Sequence, residues 1–499
     1  AMASFILRAV HQDAGVTSAT GITGMAVGSF QGALRLYTAS ESTGGLAMFG
    51  LGPGLAASFL GEVPASAASG SHGASDIELA TIGGQTLLAV AGRYDDRFAF
   101  RELAADGGFL SALPVPAIPQ STAALGSIEL VSVGTDSLMI AGRATGPGLD
   151  VFDVSAGPTL SHVGSLADDA SLALANISAL ASLKIGSAQF LFAASSIEHG
   201  ITSLGIDGRG TLSVVDTVSG TKGVGIYQPT RLATVSADAG DFLVVGATGS
   251  SNLTVYEIGA DGSLGFRDMA WDTLDTRFRS VTALDTFELN GRAFVLAGGN
   301  DGGLSLFELG PDGHLYFLTN AIDTAATTLA SVSAIETVNV GGDVQVFVSS
   351  ATEAGVTQFH LDLGAIGNTV SPSGPADDAV GGIGDDFLMG TDTRNTLWGL
   401  RGNDRMVDGG GIDRLYGGTG ADTFVFVQDG VYDFVMDYER GIDRIDLSDF
   451  DMVYSMAQLT ISSTASGARI GIGDEAILLT TMDGLPLTSA DFSNASFIF

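Results

Sequence analysis

The sequence predicts an all-β protein: a seven-bladed β-propeller followed by a parallel β-roll with a small C-terminal β-hairpin region. Two observations carry this. Seven related segments recur at intervals of 51 or 52 residues over the first 370 positions. Five nine-residue units then run without a gap from Gly381 to Val425. The domains expected are residues 1–370 for the propeller, 371–380 (SPSGPADDAV) for a Pro/Ser/Gly/Asp linker, and 381–499 for the roll with its C-terminal region.

The seven segments place a bulky apolar residue mid-strand at Phe49, Phe100, Phe152, Leu204, Tyr256, Phe307 and Phe359. Each repeat holds four short strand-like runs joined by Gly/Asp turns, such as Asp261-Gly262 and Asp312-Gly313. Four antiparallel strands per fifty residues, repeated, make a blade. The start, Phe5–Val10, resembles Phe317–Ile322, so the first strand is expected as the outer strand of the seventh blade. That pairing ties the chain ends together and removes open sheet edges.

The nine-residue units read GGIGDDFLM, GTDTRNTLW, GLRGNDRMV, DGGGIDRLY and GGTGADTFV. Position six is Asp386, Asn395, Asp404, Asp413 and Asp422; position eight is Leu388, Leu397, Met406, Leu415 and Phe424. A Gly-rich turn followed by a short apolar strand suits a roll in which two units make one coil. Eighteen residues per coil stack Asp386, Asp404 and Asp422 on one edge and Asn395 with Asp413 on the other. Stacked carboxylates among turn carbonyls are hard oxygen donors, suited to calcium rather than softer metals.

These units resemble the GGxGxDxUx nonapeptide of the RTX (hemolysin-type) family of secreted bacterial proteins. The resemblance implies calcium ions between a turn and the turn eighteen residues on, about three in the repeats. It also implies backbone ligands at positions such as Gly382, Gly384, Gly402 and Gly417. The second unit departs from the pattern at Asp392 and Asn395, so its site is expected to be weaker. The following segment, YDFVMDYERGIDRIDLSDF (432–450), is similar to the stretch that closes the roll in serralysin-type proteases. Its acids are Asp433, Asp437, Asp443 and Asp446, and the resemblance implies a further calcium site at Asp433 and Asp443.

The last thirty residues read as a hairpin and an apolar terminus ending Phe497-Ile498-Phe499, similar to the ends of type I secretion substrates. The start, AMASFILRAVHQD, lacks the charged lead and apolar stretch of a signal peptide. The resemblance therefore implies one-step export by the type I secretion machinery and an extracellular location, with possible association with a cell surface. Across residues 296–318 the propeller repeat is similar to that of seven-bladed lactonase-type propellers. Those residues build blades, and activity does not transfer with them.

Composition agrees with life outside the cell. Acidic residues number 56 against 21 Lys+Arg, giving a formal charge of −35. Such a surface repels nucleic acid and anionic membranes. The absence of cysteine excludes disulfides, thiolate metal sites and cysteine catalysis. No apolar run is long enough to span a membrane.

No HExxH, GxSxG or GxxxxGK[ST] motif is present, so a catalytic set is unknown from sequence. Of the six histidines, His314 and His360 lie inside or beside strand patterns and are read as packed or surface residues, whereas His72 and His199 fall in loops. One propeller face is expected to gather His72, Tyr94, Asp95, Asp96, Arg97, Arg143, Glu198, His199, Asp301 and Glu353. A lactonase-like hydrolase would draw on these; a binder of glycan or protein, or a self-assembling surface-layer protein, would not. The favoured expectation is a non-enzymatic binding or surface role.

Overall fold

The computed structural model describes all residues except 1–2, 13–18, 65–72, 83, 93–97, 114–124, 156–160, 221–224, 375–376 and 451. The chain forms two compact units, one of residues 4–289 and 293–362, the other chiefly of 363–499. Among the described residues the only helical pieces are short 3-10 turns such as Met456–Gln458, and no helix is long and apolar enough to cross a membrane.

Seven four-stranded antiparallel sheets make the propeller. The first blade runs Ile22–Phe30, Ala33–Ser40, Leu46–Leu51 and Ser58–Val63 in that order. The seventh consists of Val332–Val340, Asp343–Ser350 and Val356–Asp362, with Ser4–His11 as its outer strand. Ser4 pairs with Asp362 and His11 with Val356, the closure expected from the sequence. All seven mid-strand residues, Phe49, Phe100, Phe152, Leu204, Tyr256, Phe307 and Phe359, are buried between blades. Each contributes about 1.5–3 kcal/mol of apolar burial.

A ring of hydroxyls stitches the inner strands. Thr23 donates to Ala74 O at 2.5 Å, Ser75 to Leu125 O at 3.3 Å and Ser178 to Pro229 O at 2.6 Å. Thr230 continues to Val281 O, Thr282 to Val332 O, and Ser333 back to Ile22 O at 2.6 Å. In the third blade Gly126 takes the hydroxyl's place, because a Cβ there would collide with Ile177 O. The first strand of every blade is thus innermost, and the ring closes on itself.

The second unit is a roll of two parallel sheets facing each other across an apolar core. One contains Asp385–Met389, Arg405–Val407, Thr423–Val425 and Arg444–Asp446; the other contains Thr396–Trp398, Arg414–Tyr416 and Tyr432–Tyr438. Leu388 pairs with Met406, and Met406 with Phe424; Leu397 pairs with Leu415. The eighteen-residue register is therefore the one the repeats dictate, and every position-eight side chain is fully buried. Coiling begins upstream of Gly381: Ile366–Val370 pairs in parallel with Asp385–Met389, and Asp378–Val380 with Thr396–Trp398. At the far end Gly467–Ile472 and Glu475–Thr481 form the hairpin, and Phe497–Ile498 adds the last rung beside Arg444–Asp446.

Candidate metal centre

The two edges of the roll are built by the turns that link its sheets. On the first edge the backbone N–H of Asp386 donates to Asp404 Oδ1 at 2.8 Å, and Asp404 N–H to Asp422 Oδ1 at 2.8 Å. Asp422 N–H donates in turn to Asp443 Oδ1 at 3.0 Å. On the second edge Asn395 N–H donates to Asp413 Oδ1 at 2.5 Å, and Asp413 N–H to Asp433 Oδ1 at 2.8 Å. Each carboxylate thus uses one oxygen to cap the preceding coil. The step lengthens to 20 and 21 residues at Asp433 and Asp443, where the turns are longer.

The second oxygens are the informative ones. Oδ2 of Asp404, Asp413 and Asp422 is buried and has no hydrogen-bond partner. Leaving a buried charged oxygen unmatched is costly, more than the 1–3 kcal/mol of a neutral group. Burial pushes the carboxyls of Asp404 and Asp422 up to about 7, with the charge of the neighbouring stacked aspartates adding to it. Burial likewise raises Asp433 and Asp443 to about 7 and Asp413 to about 6.

The glycines make room for this arrangement. A Cβ on Gly399 would collide with Asp404 Oδ2 and lie 2.6 Å from Gly417 O; one on Gly417 would collide with Asp422 Oδ2. Gly402 adopts φ +126°, and a Cβ there would strike Gly384 O. At Gly382 the N–H donates to Asp386 Oδ2 at 2.5 Å and the carbonyl accepts from Arg401 N–H, which leaves that oxygen a second lone pair. Asn395 spends its amide on the backbone, donating from Nδ2 to Asp377 O at 3.1 Å and accepting at Oδ1 from Thr391 N–H.

Among the described residues no three acidic or histidine side chains are arranged to hold a metal ion by themselves. A cation between these turns would take part of its shell from turn carbonyls such as Gly384 O and Gly417 O. Hard, anionic and unpartnered oxygens fit a divalent oxygen-seeking ion.

Of the propeller residues expected on one face, Arg143, Glu198, His199, Asp301 and Glu353 are described, and each makes a contact within the scaffold. Glu198 accepts Ala175 N–H at 2.8 Å, Glu353 accepts Ala330 N–H at 2.9 Å, and Asp301 accepts Arg279 N–H at 3.2 Å. His199, at φ +54°, accepts Gln228 N–H at Nδ1 and lies against the Tyr227 ring at 4.1 Å. Arg143 pairs with Asp150 at 2.6 Å, which His162 also meets at 3.3 Å. His72, Tyr94, Asp95, Asp96 and Arg97 lie outside the described residues.

Acids on the innermost strands escaped the sequence reading: Asp76, Glu78, Glu129, Asp285 and Glu336. Asp76 accepts Ser127 Oγ–H at 2.7 Å and Ile128 N–H at 3.1 Å from the next blade. Glu129 bonds likewise to Ser182, and burial raises Glu129 to about 7 and Asp285 to about 6. Their 51-residue spacing, Glu78 to Glu129 and Asp285 to Glu336, was the available signal.

The family described as Peptidase M10 serralysin C terminal matches residues 357–479. None of the curated proteins matches the sequence. Among solved structures, a putative 6-phosphogluconolactonase from Bacteroides fragilis is similar at 10% identity and a TM-score of 0.49, covering 68% of this chain and 98% of that one. A periplasmic gluconolactonase from Pseudomonas aeruginosa is similar at 16% identity and 0.48, covering 61% and 86%. A protein from Lactobacillus plantarum is similar at 18% identity and 0.48, covering 65% and 98%. At these levels the likenesses carry no inference about activity.

Proposed function

We propose that this chain is a secreted calcium-binding protein. Its roll closes around calcium after type I export, and its propeller recognises an extracellular ligand or surface, glycan or protein. The observation that carries the calcium reading is the set of buried, unpartnered oxygens on Asp404, Asp413 and Asp422, one per nine-residue unit and alternating between the two edges. The serralysin C-terminal match supports export. Asp386, Asp404, Asp422 and Asp443 would hold ions on one edge, with Asn395, Asp413 and Asp433 on the other, assisted by turn carbonyls. Bound calcium supplies positive charge where the carboxylates otherwise repel, so its binding free energy becomes folding free energy. Where calcium is scarce the roll stays open and fit for export.

A non-enzymatic propeller is favoured over a lactonase-like hydrolase, since Glu198, Asp301 and Glu353 are each committed to a neighbouring backbone amide. Calorimetry and far-UV circular dichroism on the chelator-stripped full chain test the calcium reading. Uptake of about three or more ions with gain of ordered structure is expected; a roll fully formed in chelator, with no binding heat, would refute it. Light scattering with and without calcium separates a compact binder from a self-assembling layer, which would form large particles only with the ion.

A further inference from the structure

Position one of the nine-residue unit is glycine at Gly381, Gly390, Gly399 and Gly417, and aspartate once, at Asp408. The glycine rule has a steric reason: a side chain there starts inside the space bordered by the position-six carboxylate and the next coil's first carbonyl. Asp408 therefore puts a second carboxylate into the space that Asp413 borders, between the turn 408–413 and the turn that ends at Asp433. It is 1% exposed, and its Oδ1 accepts Val427 N–H at 2.9 Å, fastening the two turns together. The charges acting on it are those of Asp433, Asp413 and Asp429, all acidic. Asp413, one of those acids, has its Oδ2 buried and without a partner on a side chain wholly removed from solvent.

We infer that Asp408 makes the interval between Asp413 and Asp433 the tightest calcium site of the roll. This rests on the calcium reading proposed above. Three side chains do not converge there, so Asp413, Asp433 and turn carbonyls are the ligands. Burial holds the Asp408 carboxyl well above the usual range, so Asp408 is an affinity-determining neighbour whose negative charge, in a poorly screened place, is drawn out by a cation bound beside it. The other late interval, Asp422 to Asp443, also has extra acids in Asp437 and Glu439. Both are only partly buried, however, and Asp437 spreads its charge over the amides of Gly417 and Gly418. The earlier interval of the same edge is poorer, since Asn395 replaces a carboxylate and the Arg394 charge acts on Asp413 from that side, and the intervals Asp386–Asp404 and Asp404–Asp422 have glycine at position one and no acid there. Affinity in such oxygen cages rises with the charge gathered around the ion.

The test is a calcium titration by calorimetry of the full-length protein, chelator-stripped, as wild type, Asp408→Asn and Asp408→Gly. The tightest class of sites should weaken about tenfold in both variants, or lose its ion, while the remaining sites keep their affinity. The glycine variant keeps the experiment decisive if Asp408→Asn fails to fold, since glycine is what the other four first positions hold. Wild type that binds calcium while both variants bind it with unchanged tightest affinity overturns the role of Asp408 alone. Wild type that binds no calcium overturns the calcium reading and this inference together.

Discussion

Asp404 N–H donates to Asp422 Oδ1 at 2.8 Å while Oδ2 of Asp422 faces no donor. One carboxylate thus does two jobs: a cap that sets the register of adjacent coils, and a free anionic oxygen that asks for a cation. The same split of labour holds at Asp404 and Asp413.

Asp404 borders two intervals of its edge, as Asp422 and Asp413 also do, so Asp404→Ala should be among the most damaging single changes in the repeats. Loss of its cap on Asp386 N–H costs about 1–3 kcal/mol, and both adjoining intervals lose a ligand. The calcium concentration at the folding midpoint should rise at least tenfold, read by circular dichroism during a calcium titration. Asn395→Ala, at the neutral member of the other edge, should move it far less.

Under the calcium proposal, proton and calcium would compete for the same oxygens. The carboxyls of Asp404, Asp422, Asp433 and Asp443 are raised to about 7 in the folded roll, above their unfolded range near 4. A raised acid contributes stability that is fully present below about pH 4 and lost as pH climbs through 7. Without calcium the roll should be more stable at pH 5 than at pH 8, and with calcium the order should reverse. Thermal melts in chelator and in calcium at the two pH values check this.

Gly399→Ala places a Cβ against Asp404 Oδ2 and Gly417 O. It should destabilise the calcium-loaded roll by about 2–4 kcal/mol. Gly61→Ala is the control, because that glycine has open space and no positive φ; it should be near neutral in the same denaturation series.

Propeller closure hangs on Asp343, which pairs with Arg8 at 2.6 Å, accepts Gly54 N–H at 2.8 Å and meets His360 at 2.7 Å. Despite partial burial, Arg8, the Gly54 amide and Gln345 hold its carboxyl well below the usual range. Asp343→Asn should cost about 2 kcal/mol at pH 7, seen as a lower Tm, with the difference fading as pH falls below 4. Calcium affinity of the roll should be unchanged, and a shared loss would contradict independent closure.

The sequence by itself determined the architecture, because periodicity is a local property of the chain. Mid-strand residues such as Phe100 and Phe307, fifty-odd residues apart or a multiple of that, counted the blades; Leu388, Met406 and Phe424 fixed the coil at eighteen. The position-six aspartates were equally legible, since their stacking follows from that count. Only the tertiary structure decided what each polar group is for. Glu198 and Glu353, read as loop residues on one face, turn out to hold backbone amides 23 residues upstream. Asp76 and Glu129 bond to the next blade, a partner that no window of local sequence contains. Even within the repeats, which oxygen caps and which stands free depends on turn geometry that brings Asp404 beneath Asp386. Apolar pattern is enough to choose a fold because burial is non-directional, whereas a polar atom's role is set by the one partner its geometry allows.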